Sequence, residues 1–165
     1  MLASRLGYVY IDSGAMYRAV TLYLLDAGAI NINTGHIDAE LHLVLNGIDV
    51  ENRLRDLHVS NWVSEVATVS VVRRKLVEEQ RRLGLNKGIV MDGRDIGTVV
   101  FPDADLKLFV TASIDVRAHR RRDELLQKNM DYTLGEIERN LVKRDFIDSS
   151  RSDSPLLQAN DAILL

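Results

Sequence analysis

The chain has 165 residues, 46% of them hydrophobic, with a formal net charge of −3 and no cysteine. That length fits one compact domain, and the charge argues against a globally basic nucleic-acid binder. No apolar run reaches the ~20 residues of a membrane span, the opening MLASRLG is too short for a signal peptide, and without thiols there are no disulfides or thiolate metal sites, which suits a reducing cytoplasm.

Residues 1–6 read as the tail of a helix, and GYVYI (7–11) reads as a short apolar strand. Ser13 is placed to cap a helix running to about Ala27, which Gly28 ends. Residues 31–58 alternate and hold Asn46-Gly47, a hairpin signal, so a small β insertion is expected there. From about Val59 to Leu83 the pattern is helical, although the β-branched VATVSVV leaves a strand open. KGIVMDG (87–93) reads as a buried strand and LKLFVTA (106–112) as another, followed by Ser113 as a helix cap. Thr133 and Glu136 form a capping box for a helix reaching toward Asp148. DAILL (161–165) begins one more strand.

Strands alternating with helices predict a parallel α/β sheet with crossovers. Ligands of such sheets sit beyond the carboxyl ends of the strands. Polar residues collect there: Asp12-Ser13 after the first strand, Arg94-Asp95 after the second, and Thr111 to Arg117 after the third.

Sixteen of the 21 cationic residues are arginine, the side chain whose planar fork matches phosphate and carboxylate oxygens. Three patterns place these forks. The corner YIDSGAMYR offers a helix N-terminus with Arg18 about one turn in, which suits a phosphate; the plainer reading is a cap and a surface cation. Trp62, Val66, Val69, Leu76 and Leu83 form a stripe, and Arg73 and Gln80 fill its gaps. An arginine on such a face must snorkel, find a carboxylate or meet a ligand. Leu134, Ile137 and Leu141 form a second stripe whose continuation lands on Arg144, Asp148 and Arg151, either an ion-pair ladder or the lining of a charged, hydroxylated ligand. VRAHRRRDE (116–124) packs four arginines into six positions and reads as a solvated basic face or as a flap over a polyphosphate. No histidine or carboxylate set has metal-ligand spacing, so no protein metal site is expected.

YIDSGAMYRAVTLY, GIVMDGRDIGTVVFPDADLKLFVTAS, RAHRR and RDFIDSSRSDSPL closely resemble the bacterial cytidylate kinases. The resemblance implies a nucleoside-monophosphate kinase core: a parallel sheet with helices on both faces, a small nucleotide-binding insertion (about 31–58) and an arginine-rich lid (about 113–150), all within one domain spanning 1–165. It implies transfer of the γ-phosphoryl of ATP to CMP or dCMP, an activity expected of the full-length protein, with Mg²⁺ accompanying the ATP. Position by position, it makes Ser13, Arg18 and Arg94 acceptor-phosphate contacts, and Ser64, Arg73, Asp95 and Arg151 readers of the cytosine. Arg144 and Asp148 become ribose contacts, with Arg144 also near the transferred phosphoryl beside Arg94. Arg117 and Arg121 become lid residues on ATP. Family precedent implies a cytoplasmic monomer with no nucleic-acid or membrane partner.

Two departures stand beside the resemblance. The sequence contains no G-x-x-x-x-G-K-[ST], the loop that cradles β- and γ-phosphates. The expectation is a truncated sequence without the first, interior strand and the final helix, so that the strands at 88–92 and 106–111 lose a shared neighbour. The insertion is also short. The alternative reading is a CMP-binding fragment or remnant without turnover. A third, an RNA-binding module using the 117–122 arginines, conflicts with the net charge and with an aromatic content of 5%.

Overall fold

The computed structural model describes residues 2–31, 36–37 and 50–165. A short helix α1 (Leu2–Leu6) leads into β1 (Val9–Asp12) and then α2 (Ser13–Asp26). β2 (Ile30–Asn31) pairs antiparallel with β3 (His36–Ile37). The expected Asn46-Gly47 hairpin lies outside the described residues. Next come α3 (Glu51–Leu54), α4 (Leu57–Ser60), α5 (Val63–Val66), α6 (Ser70–Leu83) and β4 (Ile89–Asp92). A π-helical turn follows (Ile96–Val100), then β5 (Leu108–Phe109), α7 (Ile114–Gln127), α8 (Leu134–Ser150) and β6 (Ile163–Leu164).

The architecture is α/β with parallel pairing. β1 pairs with β4 from Val9–Ile89 to Asp12–Asp92, and β5 pairs with β6 through Leu108–Ile163 and Phe109–Leu164. Among the described residues no strand joins the two pairs, as the reading of the sequence anticipated for the strands near 88–92 and 106–111. The strands are correspondingly less enclosed than a continuous apolar run predicts. Ile89, Val90 and Met91 are only half-buried, and Val9, Leu108 and Ile163 are exposed.

α2 carries the main core. Its Tyr17, Val20 and Leu24 meet Val63, Val66 and Ala67 around α5 and Val72 and Leu76 of α6. A second core, Ala118, Leu125 and Ile137, joins α7 to α8. The capping box on α8 is present: the Thr133 hydroxyl accepts from the Glu136 N–H at 3.3 Å, and the Glu136 carboxylate accepts from the Thr133 N–H at 2.9 Å. Ser113 caps α7 by accepting from the Val116 N–H. Gly28, at φ +67°, ends α2 in the left-handed region that glycine adopts without a Cβ clash.

Several expectations change. The N-cap of α2 is Asp12, not Ser13: the Asp12 carboxylate accepts from the Ala15 N–H at 3.0 Å, and Ser13 is already helical. The helix expected over 59–83 is three pieces, broken at Asn61-Trp62 and at 67–69, the second break falling within the β-branched run VATVSVV. Leu83 is exposed, so its stripe ends at Gln80. α8 stops at Ser150, and Arg151 is extended at φ −63°, ψ 144°. Its side chain folds back to Asp148 nonetheless.

Candidate active site

The site begins where β1 and β4 end side by side. The Ser13 hydroxyl donates to the Asp92 carbonyl at 2.7 Å. Gly93 makes that approach possible, because a Cβ there would collide with Ser13 Oγ. The Asp12 carboxylate caps α2, accepts from Arg18 Nη2 at 2.6 Å and lies 3.6 Å from the Arg55 guanidinium. Beside it Tyr10 donates its hydroxyl to Asp92 at 2.8 Å. Burial and that hydrogen bond hold the phenol up at about 12.

Deeper lies a fully enclosed cluster. Asp95 starts the π turn, whose wide ladder (Val100 N–H to the Asp95 carbonyl, Phe101 N–H to the Ile96 carbonyl) belongs to the rare backbone class often found at functional sites. The Asp95 carboxylate accepts from Arg73 Nη1 at 2.6 Å, with both side chains almost without exposure. Arg73 Nε also donates to the Ala67 carbonyl at 3.0 Å, and its guanidinium lies 5.4 Å from the centre of the Tyr17 ring. Burial pushes the Asp95 carboxyl up, and the charges of Arg73 and Arg151 pull it back without cancelling the rise. Burial likewise lifts the Tyr17 phenol to about 12. The Tyr17 hydroxyl is enclosed and unpartnered among the described residues. Arg151 completes the cluster, donating through Nε to the Ser154 carbonyl at 2.8 Å and through Nη1 to Asp148 at 3.3 Å. Its Nη2 is buried and has no partner among the described residues.

Arg144 projects from α8 into the space between these groups. Its neighbours Arg94, Arg18 and Arg121 repel it, while Asp148 is the attractive charge nearby. Burial and the Arg94 charge bring the guanidinium down to about 10. The other arginines of this region each share a carboxylate: Arg94 takes Asp148 (3.2 Å) and Asp145 (3.8 Å), Arg117 takes Asp145 (2.7 Å), and Arg18 takes Asp12. Arg144 has no carboxylate within ion-pairing distance among the described residues. It donates through Nη1 to the Ser60 hydroxyl at 3.0 Å, and its Nε is buried without a partner among the described residues. Buried positive charge with unfilled donors is the complement of an anion.

The basic run on α7 is not uniformly solvated. Arg117 and Arg121 share the face of Ala118 and Leu125, while Arg120 and Arg122 face out. Arg121 donates to Glu124 at 2.7 Å and to the Arg55 carbonyl at 2.6 Å, and Arg55 donates to Glu124 at 2.9 Å. Burial would raise the Glu124 carboxyl, but the hydrogen bonds from Arg55 and Arg121 hold it below the usual range.

Arg18, Arg73, Arg94, Asp95, Arg144, Asp148, Arg151, Arg117 and Arg121 thus form one connected set of charges through shared carboxylates and neighbouring guanidinium groups, and Ser13 lies beside it on the Asp92 carbonyl. Ser64 is buried in α5, which packs on α2 and α8. Reasoning from sequence missed Tyr17, Arg55, Ser60, Glu124 and Asn140. Asn140 carried a signal, since it lies three residues after Ile137 and four before Arg144 on the inward stripe. Ser60 carried none.

The profile of the cytidylate kinases matches residues 1–165. The chain belongs to the cytidylate kinase family. A cytidylate kinase of Parabacteroides distasonis is 50% identical, aligned over 99% of this chain and 80% of its own length. One from Flavobacterium psychrophilum is 49% identical over 98% and 80%, and one from Cytophaga hutchinsonii 44% identical over 98% and 76%. The first alignment runs over 183 positions, more than the 165 residues here, so it opens gaps in this chain. Among the described residues, no three His, Cys, Asp or Glu side chains gather to hold a metal ion, and no helix is long and apolar enough to cross a membrane.

Proposed function

We infer that the protein transfers the γ-phosphoryl group of ATP to CMP or dCMP, and that the clustered arginines hold the acceptor nucleotide. One observation carries the reading: Arg144, packed among Arg18, Arg94 and Arg121, has no carboxylate within ion-pairing distance among the described residues. Phosphoryl transfer needs little covalent chemistry from a protein. It needs the two oxygens in line and positive charge where the transition state spreads its own.

Each part of the site takes a role in this proposal. Arg18, Arg94 and the α2 corner at Ser13 hold the CMP phosphate, which is already anionic and needs no strong base. Arg94 and Arg144 meet the charge of the transferred group. Asp148 and Arg144 fix the ribose. Asp95, Arg73, Arg151 and Ser64 read the cytosine. A carboxylate beside two guanidinium forks complements a base that presents an amine next to two acceptors. Uracil presents a carbonyl where cytosine presents the amine, so Asp95 would discriminate against it. Arg117 and Arg121 move to the ATP phosphates as α7 closes and excludes water. The carboxylates at the corner, Asp12 and Asp92, are engaged by Arg18 and Tyr10, so these residues form no metal cage. Mg²⁺ would enter with ATP, its ligands mainly phosphates and water, and would neutralise charge there. The insertion (about 31–58), the lid (about 113–150), the monomeric state and cytoplasmic residence are parts of the same proposal.

A coupled assay with ATP and CMP, alongside calorimetry with CMP alone, tests it. Turnover with CMP and dCMP is expected, and loss of CMP binding on replacing Arg94 and Arg144 together. Unchanged binding by that double variant overturns the reading. A second reading has one observation in its favour: these 165 residues contain no G-x-x-x-x-G-K-[ST]. In it the arginines hold CMP without turnover, and calorimetric binding with a silent kinase assay supports it.

A further inference from the structure

The Arg144 guanidinium is held by the Ser60 hydroxyl, which is itself held by Asn140. Ser60 ends α4 and Asn140 lies one turn before Arg144 on α8, and both are buried. A serine hydroxyl has one proton and two lone pairs. Here the proton goes to Asn140, with Ser60 Oγ donating to Asn140 Oδ1 at 3.2 Å. The lone pairs are thereby left for Arg144, whose Nη1 donates to Ser60 Oγ at 3.0 Å. Asn140 is locked in that orientation from its other end. Its Nδ2 donates to Asn61 Oδ1 at 2.7 Å and reaches the Ser60 carbonyl at 3.4 Å. A flipped amide would set a carbonyl oxygen against two acceptors.

We propose that Ser60 and Asn140 are positioning residues that orient Arg144 toward the nucleotide. This rests on the reading of Arg144 as a nucleotide contact. Asn61 fixes the amide, the amide fixes the hydroxyl, and the hydroxyl holds one edge of the guanidinium. The neutral acceptor matters. A carboxylate in Ser60's place would satisfy Arg144 and compete with the incoming anion, whereas a hydroxyl orients the fork and leaves its charge available. The relay also ties α4 to α8, so the arginine is aimed only when those two helices are docked.

The test is calorimetric titration of CMP into the full chain as wild type, Ser60→Ala, Ser60→Thr, Asn140→Leu, Arg144→Met and the Ser60→Ala/Arg144→Met double variant, each with its thermal midpoint measured. Ser60→Ala is expected to weaken CMP binding by about tenfold. Ser60→Thr, which keeps the hydroxyl, is expected to restore it. Asn140→Leu should weaken it in the same direction by freeing the Ser60 proton to turn toward Arg144. In the Arg144→Met background Ser60→Ala should have no further effect. Equal losses from Ser60→Ala with and without Arg144 overturn the proposal, because the hydroxyl would then act without the arginine. Unchanged affinity in Ser60→Ala overturns it too. If Ser60→Ala does not fold, the same cycle run with Asn140→Leu decides. Absence of CMP binding by the wild-type chain overturns the functional reading and this inference together, whereas intact binding with an additive cycle overturns this inference alone.

Discussion

Two regions of the molecule use the same chemistry at different depths. Around Asp95, the Arg73 pair is 2% and 6% exposed and is held further by the Tyr17 ring and the Ala67 carbonyl. Around Glu124, Arg55 and Arg121 are 48% and 19% exposed and share a carboxylate that water also reaches. A buried pair cannot open without stranding a charge, so it holds its shape. An exposed pair is worth at most about 1 kcal/mol and exchanges partners easily. The deep cluster therefore suits recognition of a base, and the shallow one suits a segment that trades its carboxylates for phosphates and trades back.

The contrast is sharpest at Arg144. Arg144→Met should lower CMP affinity by about a hundredfold or more, the range for losing a charged partner of a desolvated anion. It should also raise the thermal midpoint of the unliganded protein. A guanidinium held below its ordinary value by burial and by the Arg94 charge costs folding free energy, in full at every pH below its folded value. A lowered midpoint in differential scanning calorimetry would contradict this account of the site.

Next in size is the deep pair. Asp95→Ala leaves Arg73 buried without its carboxylate and should destabilise the fold by about 3 kcal/mol or more, read from urea denaturation. The same variant should narrow the preference for CMP over UMP in competition binding. The matching change at the shallow pair, Glu124→Gln, should shift stability by about 1 kcal/mol or less, and the shift should shrink in high salt. Equal losses at the two sites would erase the distinction between them.

The smallest expected effect is in the pH profile. The Glu124 carboxyl is lowered in the folded state, so its contribution is fully present above the ordinary glutamate value and is lost as pH falls through the lower folded value. Asp95 has the opposite sign: its carboxyl is raised, so its contribution is present below the ordinary aspartate value and is lost as pH rises through the higher folded one. Glu124→Gln should therefore flatten the acid limb of the stability curve. Asp95→Asn should flatten the rise-side loss just above it. Denaturation midpoints across that range distinguish the two.

Much of this site was legible in the sequence because its residues lie on periodic stripes. Arg73 and Gln80 stand on the inward face of α6, and Arg144 and Asp148 on that of α8. A charged residue at an apolar position is a visible anomaly. Strand positions were legible for the same reason, as apolar runs ending in Asp12 and Asp92. What escaped depended on contacts far apart in the chain. Ser60 reaches Arg144 across 84 residues, and no local pattern records that. Arg55 joins Glu124 and Asp12 from a surface position that composition treats as ordinary. The cap of α2 was misplaced by one residue because Asp12 and Ser13 both make good caps, and only the pairing of Ser13 with Asp92 decides between them.

That last contact has a mechanical meaning. With the Ser13 hydroxyl on the Asp92 carbonyl and no room for a side chain at Gly93, the end of β4 and the start of α2 behave as one rigid piece. Asp95 sits two residues beyond that joint and Arg18 about one turn beyond it on the other side. If the nucleotide lies as proposed, the span between them would act as a fixed gauge: a ring seated at one end would leave a set length to the other.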